Sequence, residues 1–383
     1  MKPYELNIPT SVYFGRNIWR EAIKALDSLI SGNILLVTTG RSLKRLGYVE
    51  ELESELKVCS GVDHVKIFDE VSPNPRLSQI REGIRLSKEA QADVVIGFGG
   101  GSAMDAAKAI AVGASTGQDI SSFLYHGKEP GQGTLPVIAI PTTAGTGSEL
   151  SKAAIITDEE KKIKGGIRGK ALYPKAAIVD SLFTESMPLR TTMETGFDVF
   201  AHGMESYISL AASPFTRMLS EQAIRMVGEY LPRLITCPED REARERMSFA
   251  SMVMGINLGN AGTCLPHRLQ YPLGARTDTS HGAGLAALFT SWVRWEYDYA
   301  PCKVERAVSL LQRQEVHGKK DCVETIRGFI DMLGLPLSLK MLGAKREELD
   351  VMVSEVTGNV RNDPAAREDG IIMKLYAQAF EER

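Results

Sequence analysis

The sequence predicts an α/β domain with an open, mainly parallel sheet, followed by an all-α domain. Three observations predict it. Up to about residue 185, short apolar runs alternate with amphipathic segments of helical period. Strands and helices alternating at this length imply parallel pairing through crossover helices. Beyond that point the strand-like runs stop, and long helical patterns continue to the end. A chain of 383 residues is also longer than one core usually supports, so two domains are expected, 1–185 and 186–383.

The strands are read from "NILLVTT" (33–39), "DHVKIFDEV" (63–71), "ADVVIGFGGG" (92–101) and "LPVIAIPTT" (135–143). Between them, 46–58, 77–90 and "SAMDAAKAIAVGAS" (102–115) read as helices. The character changes after "AAIVDSLFTESMPL" (176–189). Helical periodicity then covers 215–231, 241–258, 283–299 and 345–358, with no repeats and no low-complexity segment.

Composition narrows the function classes. The chain is 43% hydrophobic and 24% charged, with a formal net charge of −3. No basic cluster interleaved with aromatics suggests nucleic-acid binding. No apolar run approaches the ~20 residues of a bilayer span, and the first fifteen residues lack the apolar core of a secretion signal. The five cysteines are scattered and never in a C-x-x-C pair, as expected of reduced thiols in the cytoplasm. Cys264, three residues before His267, reads as a buried inert thiol, with an extra metal ligand as the alternative.

Two glycine-rich stretches follow predicted strands. In "VVIGFGGGSAMDAAK" a strand runs into Gly99, Gly100, Gly101 and Ser102 and then a helix. Such glycines let backbone approach a ligand closely, and the free N–H groups of the first helical turn suit a pyrophosphate. Alone, this could equally be an ordinary tight turn, and it is not the G-x-G-x-x-G fingerprint. "IPTTAGTGSE" (140–149) adds Thr142, Thr143, Thr146 and Ser148 as hydroxyl donors beside Gly145 and Gly147. Two such loops at strand C-termini define the crevice where open α/β sheets bind nucleotides. The first strand ends in Thr38-Thr39-Gly40-Arg41, without the carboxylate that would hold a ribose 2′-hydroxyl. Thr38 is counted with the cofactor residues, and Arg41 tilts the choice towards NADP over NAD.

Asp198 and His202 stand four apart in a helical segment and so share one face. Alone they would be an ordinary i,i+4 pair. His267 and His281 complete a set of one carboxylate and three imidazoles, which suits iron(II) or zinc(II) with open coordination. The break at Pro272-Leu273-Gly274 should end one helix, and Ser280 should N-cap the next, leaving His281 free to turn back towards His267. His64, His126 and His317 have no such partners in sequence.

At this point the sequence resembles the iron-containing, metal-dependent (group III) alcohol dehydrogenase family. The resemblance runs over nearly the whole chain: "FG" at 14–15, "GGGSAMDAAK" at 99–108, "IPTTAGTGSE" at 140–149, D-x3-H at 198–202 and H-x13-H at 267–281. It implies a dehydroquinate synthase-like plan, with a dinucleotide-binding domain, a helical domain and a catalytic cleft between them. It implies that Asp198, His202, His267 and His281 ligate one divalent metal, iron(II) before zinc(II). Gly99, Gly100, Gly101, Ser102, Asp105, Thr142, Thr143, Thr146 and Ser148 would line the NAD or NADP site. Lys164, ten residues before Pro174, matches a family lysine near the cofactor. The implied activity is NAD(P)-dependent alcohol dehydrogenation, run as reduction of an aldehyde or ketone whose carbonyl the metal polarises for hydride transfer.

Two departures stand out. Many members carry another histidine four residues after the third ligand; here it is Tyr271. Tyrosine keeps a hydroxyl but gives up titration near neutrality, and it either acts on substrate or packs under the site. The second is the missing carboxylate after "LLVT". Arginines surround the site sequence: Arg168, Arg268 and Arg276. They suggest a small aldehyde carrying an anion, of semialdehyde, phosphonoacetaldehyde or sulfoacetaldehyde type, unless they are solvated surface groups. Arg268 should point about 100° away from His267, which favours Arg276 as the substrate residue. Competing readings are a hydroxyacid–oxoacid transhydrogenase with tightly held cofactor, a dehydroquinate synthase-like lyase, and a non-enzymatic nucleotide binder. The expected partners are a small-molecule substrate and further copies of the chain, as a homodimer or higher oligomer, with no nucleic acid and no membrane.

Overall fold

The computed structural model describes residues 3–382. A six-stranded parallel sheet is built from β1 (Ser11–Gly15), β2 (Gly32–Thr39), β3 (Val62–Val71), β4 (Val94–Gly99), β5 (Val137–Pro141) and a last strand, Ala176–Asp180. Two further strands, β6 (Ala153–Asp158) and β7 (Ile163–Arg168), pair antiparallel as a separate hairpin, which makes the last strand β8. The sheet order is β1-β8-β5-β4-β2-β3. β4, β5 and β8 are buried at every residue, as expected where helices cover both faces of a parallel sheet. The chain passes outward from β2 to β3, then returns to the other side of β2 as β4. This reversal opens a crevice at the carboxyl ends of β2 and β4, where ligands of open sheets bind.

The covering helices are α1 (Trp19–Ala25), α2 (Gly40–Arg45), α3 (Tyr48–Lys57), α4 (Leu77–Glu89), α5 (Gly101–Thr116) and α6 (Ser121–His126). The expected helix at 46–58 begins only at Tyr48, because Gly47 takes a left-handed φ of 78°. After Asp180 the chain is helical: α7 (Leu189–Ile208), α8 (Pro214–Thr236), α9 (Arg241–Asn260), α10 (Leu265–Thr277), α11 (His281–Glu296), α12 (Pro301–Gln312), α13 (Lys319–Met332), α14 (Leu349–Ser354) and α15 (Ile371–Glu381). α8 and α9 start where side-chain oxygens of Ser213 and Asp240 accept from backbone N–H groups of the first turn, which satisfies donors that no carbonyl reaches.

Three expectations are corrected. Pro272 does not end a helix: α10 runs through it to Thr277. Proline removes one N–H donor, but every residue from Leu265 to Gly274 is buried, so packing holds the turn. The helix expected over 345–358 is only α14, six residues preceded by a 3-10 turn. Ser280 occupies the N-cap position of α11, but its side chain makes no capping bond, and its hydroxyl is buried without a partner.

Two hydrophobic cores lie on the faces of the sheet. A third fills the helical part and takes in Ala144, Ala177 and Val179 from the sheet side. The halves meet backbone to backbone at Gly147, where a Cβ would lie 2.5 Å from the backbone N of Gly255 on α9.

Candidate metal centre and cleft

Asp198 and His202 sit one turn apart on α7, His267 near the start of α10, and His281 on the first residue of α11. The three helices bring them to one point. His202 Nδ1, His267 Nε2 and His281 Nε2 lie 3.6, 3.4 and 3.7 Å from Asp198 Oδ1. Asp198, His267 and His281 place their ligand atoms within 4.8 Å of one another. His202 stands just outside that tightest trio, its ring stacked on His267 at a centroid distance of 4.4 Å.

Asp198 Oδ1, His202 Nδ1 and His267 Nε2 are buried with no hydrogen-bond partner. Buried polar atoms are ordinarily satisfied. Lone pairs orphaned together, from a carboxylate and imidazoles, are what a divalent transition metal satisfies. The residues therefore fit such an ion.

The outer nitrogens are fixed by two residues that the sequence reading missed. Glu205 Oε1 lies 2.6 Å from His267 Nδ1, and its Oε2 accepts from Cys264 N at 2.7 Å. Gln270 Oε1 lies 2.6 Å from His281 Nδ1. These acceptors hold the protons on Nδ1 and turn the Nε2 lone pairs inward. Both were findable by helical spacing: Glu205 is seven residues after Asp198, and Gln270 three after His267.

Electrostatics follow from this packing. Burial opposes the Asp198 charge, yet the three imidazoles outweigh it and hold the carboxyl below its ordinary range. Burial pushes His202 down to about 4 and His281 well below its ordinary value. Burial also opposes a cationic His267, but the Glu205 and Asp198 carboxylates override it and raise it to about 10. Cys264 is buried, its thiol pushed well up by burial, and it donates to the Glu205 carbonyl. It is not among the converging ligand atoms.

The four side chains floor a cleft of about 190 Å³. Of the residues proposed for cofactor, Gly101, Ser102, Asp105, Thr146, Ser148 and Lys164 line it. Gly99, Gly100, Thr142 and Thr143 do not line it; Thr142 N donates to Gly99 O, tying the two loops together. Thr38 is buried in β2, and the side chain of Arg41 lies outside the described residues. The loops fit closely enough that a Cβ on Gly101 would come within 2.6 Å of the Thr146 methyl. Asp105 accepts from Ser148 Oγ at 2.5 Å and from Ile155 N at 2.9 Å, anchoring α5 to the second loop. Lys164 Nζ donates to Asn74 Oδ1, and burial pushes the amine down to about 8.

Tyr271 lines the cleft, its ring stacked 6.4 Å from His281. Arg276 does not. It is paired with Glu355 at 2.5 Å and lies near Glu348, tying α10 to α14. The helical-wheel preference for Arg276 over Arg268 is thus reversed: Arg268 and Arg168 line the cleft. The cleft wraps far enough around α10 for a long side chain to reach it from the position after His267.

Residues 9–181 match the model of iron-containing alcohol dehydrogenase, and residues 192–380 match that of the Fe-containing alcohol dehydrogenase C-terminal domain. The chain belongs to the iron-containing alcohol dehydrogenase family. Relatives of this oxidoreductase family include a mitochondrial hydroxyacid-oxoacid transhydrogenase of Caenorhabditis briggsae, 30% identical over 97% of this chain and 89% of that protein. An NAD-dependent methanol dehydrogenase of Bacillus methanolicus is 34% identical over 72% of this chain and 71% of its own length. Among solved structures, sulfoacetaldehyde reductase from Bifidobacterium kashiwanohense in complex with NAD+ aligns with a TM-score of 0.88 and 25% identity, over 100% of both chains. Among the described residues no helix of this alcohol dehydrogenase family member is long and apolar enough to cross a membrane.

Proposed function

We propose that the chain is an NAD(P)-linked, metal-dependent alcohol dehydrogenase that works as a reductase of small aldehydes or ketones, including ones that carry an anionic group. The observation that carries this reading is the set of orphaned buried atoms of Asp198, His202 and His267, joined by His281, on the floor of a cleft lined by Gly101 and Thr146. Asp198, His202, His267 and His281 would hold one divalent ion, iron(II) before zinc(II). When bound, the ion supplies Lewis acidity to a carbonyl oxygen, and the dinucleotide supplies hydride.

The chain's own groups do the rest. Asp198 contributes the one negative charge among the ligands. Glu205 and Gln270 keep two imidazoles in the ligating tautomer. The first-turn N–H groups of α5, with Ser102 and Thr146, receive phosphate oxygens, and Lys164 adds positive charge in the same cleft. Tyr271 presents its ring, and a hydroxyl able to donate or accept, beside the reacting end.

A second reading, hydroxyacid–oxoacid transhydrogenase, is favoured by the resemblance to the Caenorhabditis relative. Such an enzyme keeps its dinucleotide, so the two readings separate by experiment. Metal-reconstituted protein is assayed with NADH and with NADPH against neutral and anionic C2–C4 aldehydes. The reductase reading expects turnover that depends on added NADH or NADPH, at rates within the ordinary enzymatic span of ~1–1000 s⁻¹. Turnover between a hydroxyacid and an oxoacid without added dinucleotide would overturn it. We also propose a cytoplasmic location, in keeping with five free cysteines, and a homodimer or higher homo-oligomer.

A further inference from the structure

We infer that Arg168 and Arg268 form an oxyanion-binding end of the cleft, so that the substrate is a short aldehyde or ketone whose far end bears a carboxylate, sulfonate or phosphonate. The inference rests on the reductase reading and names its substrate class.

Arg268 is a built feature rather than a surface cation. It is 9% exposed, and its Nη2 donates to Thr263 Oγ1. Its guanidinium carbon lies 5.6 Å over the Tyr271 ring. Its Nε is buried without a partner. Gly358, at φ +91°, carries no Cβ, and one there would fall 2.9 Å from Nη1. The loop after α14 is therefore shaped around the guanidinium.

Arg168 reaches the same place from the other half of the molecule. It ends β7, and its Nη1 donates to Gly166 O at 3.0 Å. The residue is exposed overall, but desolvation of the guanidinium in the cleft, and to a smaller degree the Arg268 charge, push it below its ordinary value, while Tyr271 works in the opposite direction. The two guanidiniums thus converge on Tyr271.

What is missing is a counter-charge. Among the described residues no carboxylate lies within ion-pair distance of Arg168 or Arg268, although Arg276 on the same helix has two nearby. Placing like charges side by side in a cleft is unfavourable unless an anion joins them. Planar guanidiniums suit oxyanions through paired hydrogen bonds. The position fits a substrate tail. The Tyr271 ring lies 6.4 Å from that of His281 and 5.6 Å from the Arg268 guanidinium carbon, so the tyrosine stands between the ligand end of the cleft and the arginines, and the tail of a substrate whose carbonyl is at the ligands would run along it.

The test uses metal-loaded protein as wild type, Arg168→Gln, Arg268→Gln and the double variant, with Arg276→Gln as control. Each is assayed on butanal, succinic semialdehyde, sulfoacetaldehyde and phosphonoacetaldehyde, the three anionic arms separating carboxylate, sulfonate and phosphonate. Calorimetry measures binding of 4-hydroxybutanoate, 2-hydroxyethanesulfonate and 2-hydroxyethylphosphonate against 1-butanol, and the Kd of NADH and NADPH. Wild type is expected to favour at least one anionic aldehyde over butanal. Either arginine variant should lower that preference by about 10–100-fold, chiefly through KM. Arg276→Gln should leave the preference in place.

The proposal is overturned if wild type binds the anionic alcohols no better than 1-butanol. It is equally overturned if the variants weaken dinucleotide binding instead, since the arginines would then serve cofactor phosphates. Anion binding that is lost in the variants, in a protein that reduces none of the aldehydes, would sink the reductase reading and leave the oxyanion site standing.

Discussion

At the scale of single residues, the ligands were legible and their supports were not. Asp198 and His202 announced themselves by i,i+4 spacing, and His267 and His281 by scarcity in a chain with six histidines. Glu205 and Gln270 looked like ordinary polar residues because their importance depends on which helix faces which. Arg276 was misjudged for the same reason: a wheel gives direction on one helix but not how far a cleft wraps around it. Glu205 offers a sharp prediction. Its carboxylate is fully buried between His267 Nδ1 and Cys264 N. Glu205→Gln keeps the shape but removes the charge that raises His267 basicity, so metal affinity should fall about 10–100-fold, as read by chelator competition. An unchanged affinity would mean that Glu205 serves only the turn into α10.

At the scale of elements, the buried strands were legible as continuous apolar runs, and the long helices by period. The β6–β7 hairpin was missed although β6 alternates between half-buried and buried positions, because six residues give a faint signal. Pro272 misled because propensity was outweighed by complete burial of α10. A pair of buried acids holds this region together. Asp363 accepts from Leu265 N at 2.9 Å, Trp292 Nε1 at 2.8 Å and Ala365 N at 2.8 Å, pinning the starts of α10 and the segment before α15 to α11. Glu296, at the end of α11, accepts from the same Ala365 N at 3.3 Å, and burial, then the neighbouring Asp363 charge, raise the Glu296 carboxyl strongly. The folded protein thus keeps a proton that the unfolded chain releases above the ordinary carboxylate range. Stability from this site is full at low pH and is lost as pH rises. Glu296→Gln retains a donor for Asp363 without a titrating proton. Its Tm should fall less between neutral and alkaline pH than that of wild type, by about 1–2 °C per kcal/mol of linkage removed. Parallel Tm curves would contradict this.

At the scale of the molecule, the function lies in how two differently built halves face each other. The sheet's switch point supplies loops that need glycine, as at Gly101 against Thr146, and the helical half supplies the ligands. Gly147, against Gly255, lets the halves close to backbone contact, which brings Arg168 beside Arg268 and Lys164 into the same cleft as Asp198. The sequence showed both sets of motifs, but the contact across the cleft depends on long-range packing that no local pattern encodes. The central claim is that one divalent ion sits among Asp198, His202, His267 and His281 and enables reduction. Elemental analysis of purified, metal-reconstituted wild type and His267→Ala, with reductase activity on the same samples, tests it most directly. About one equivalent of metal per wild-type chain is expected, with coincident loss of metal and activity in the variant. A His267→Ala protein that folds and keeps its full metal content would contradict it.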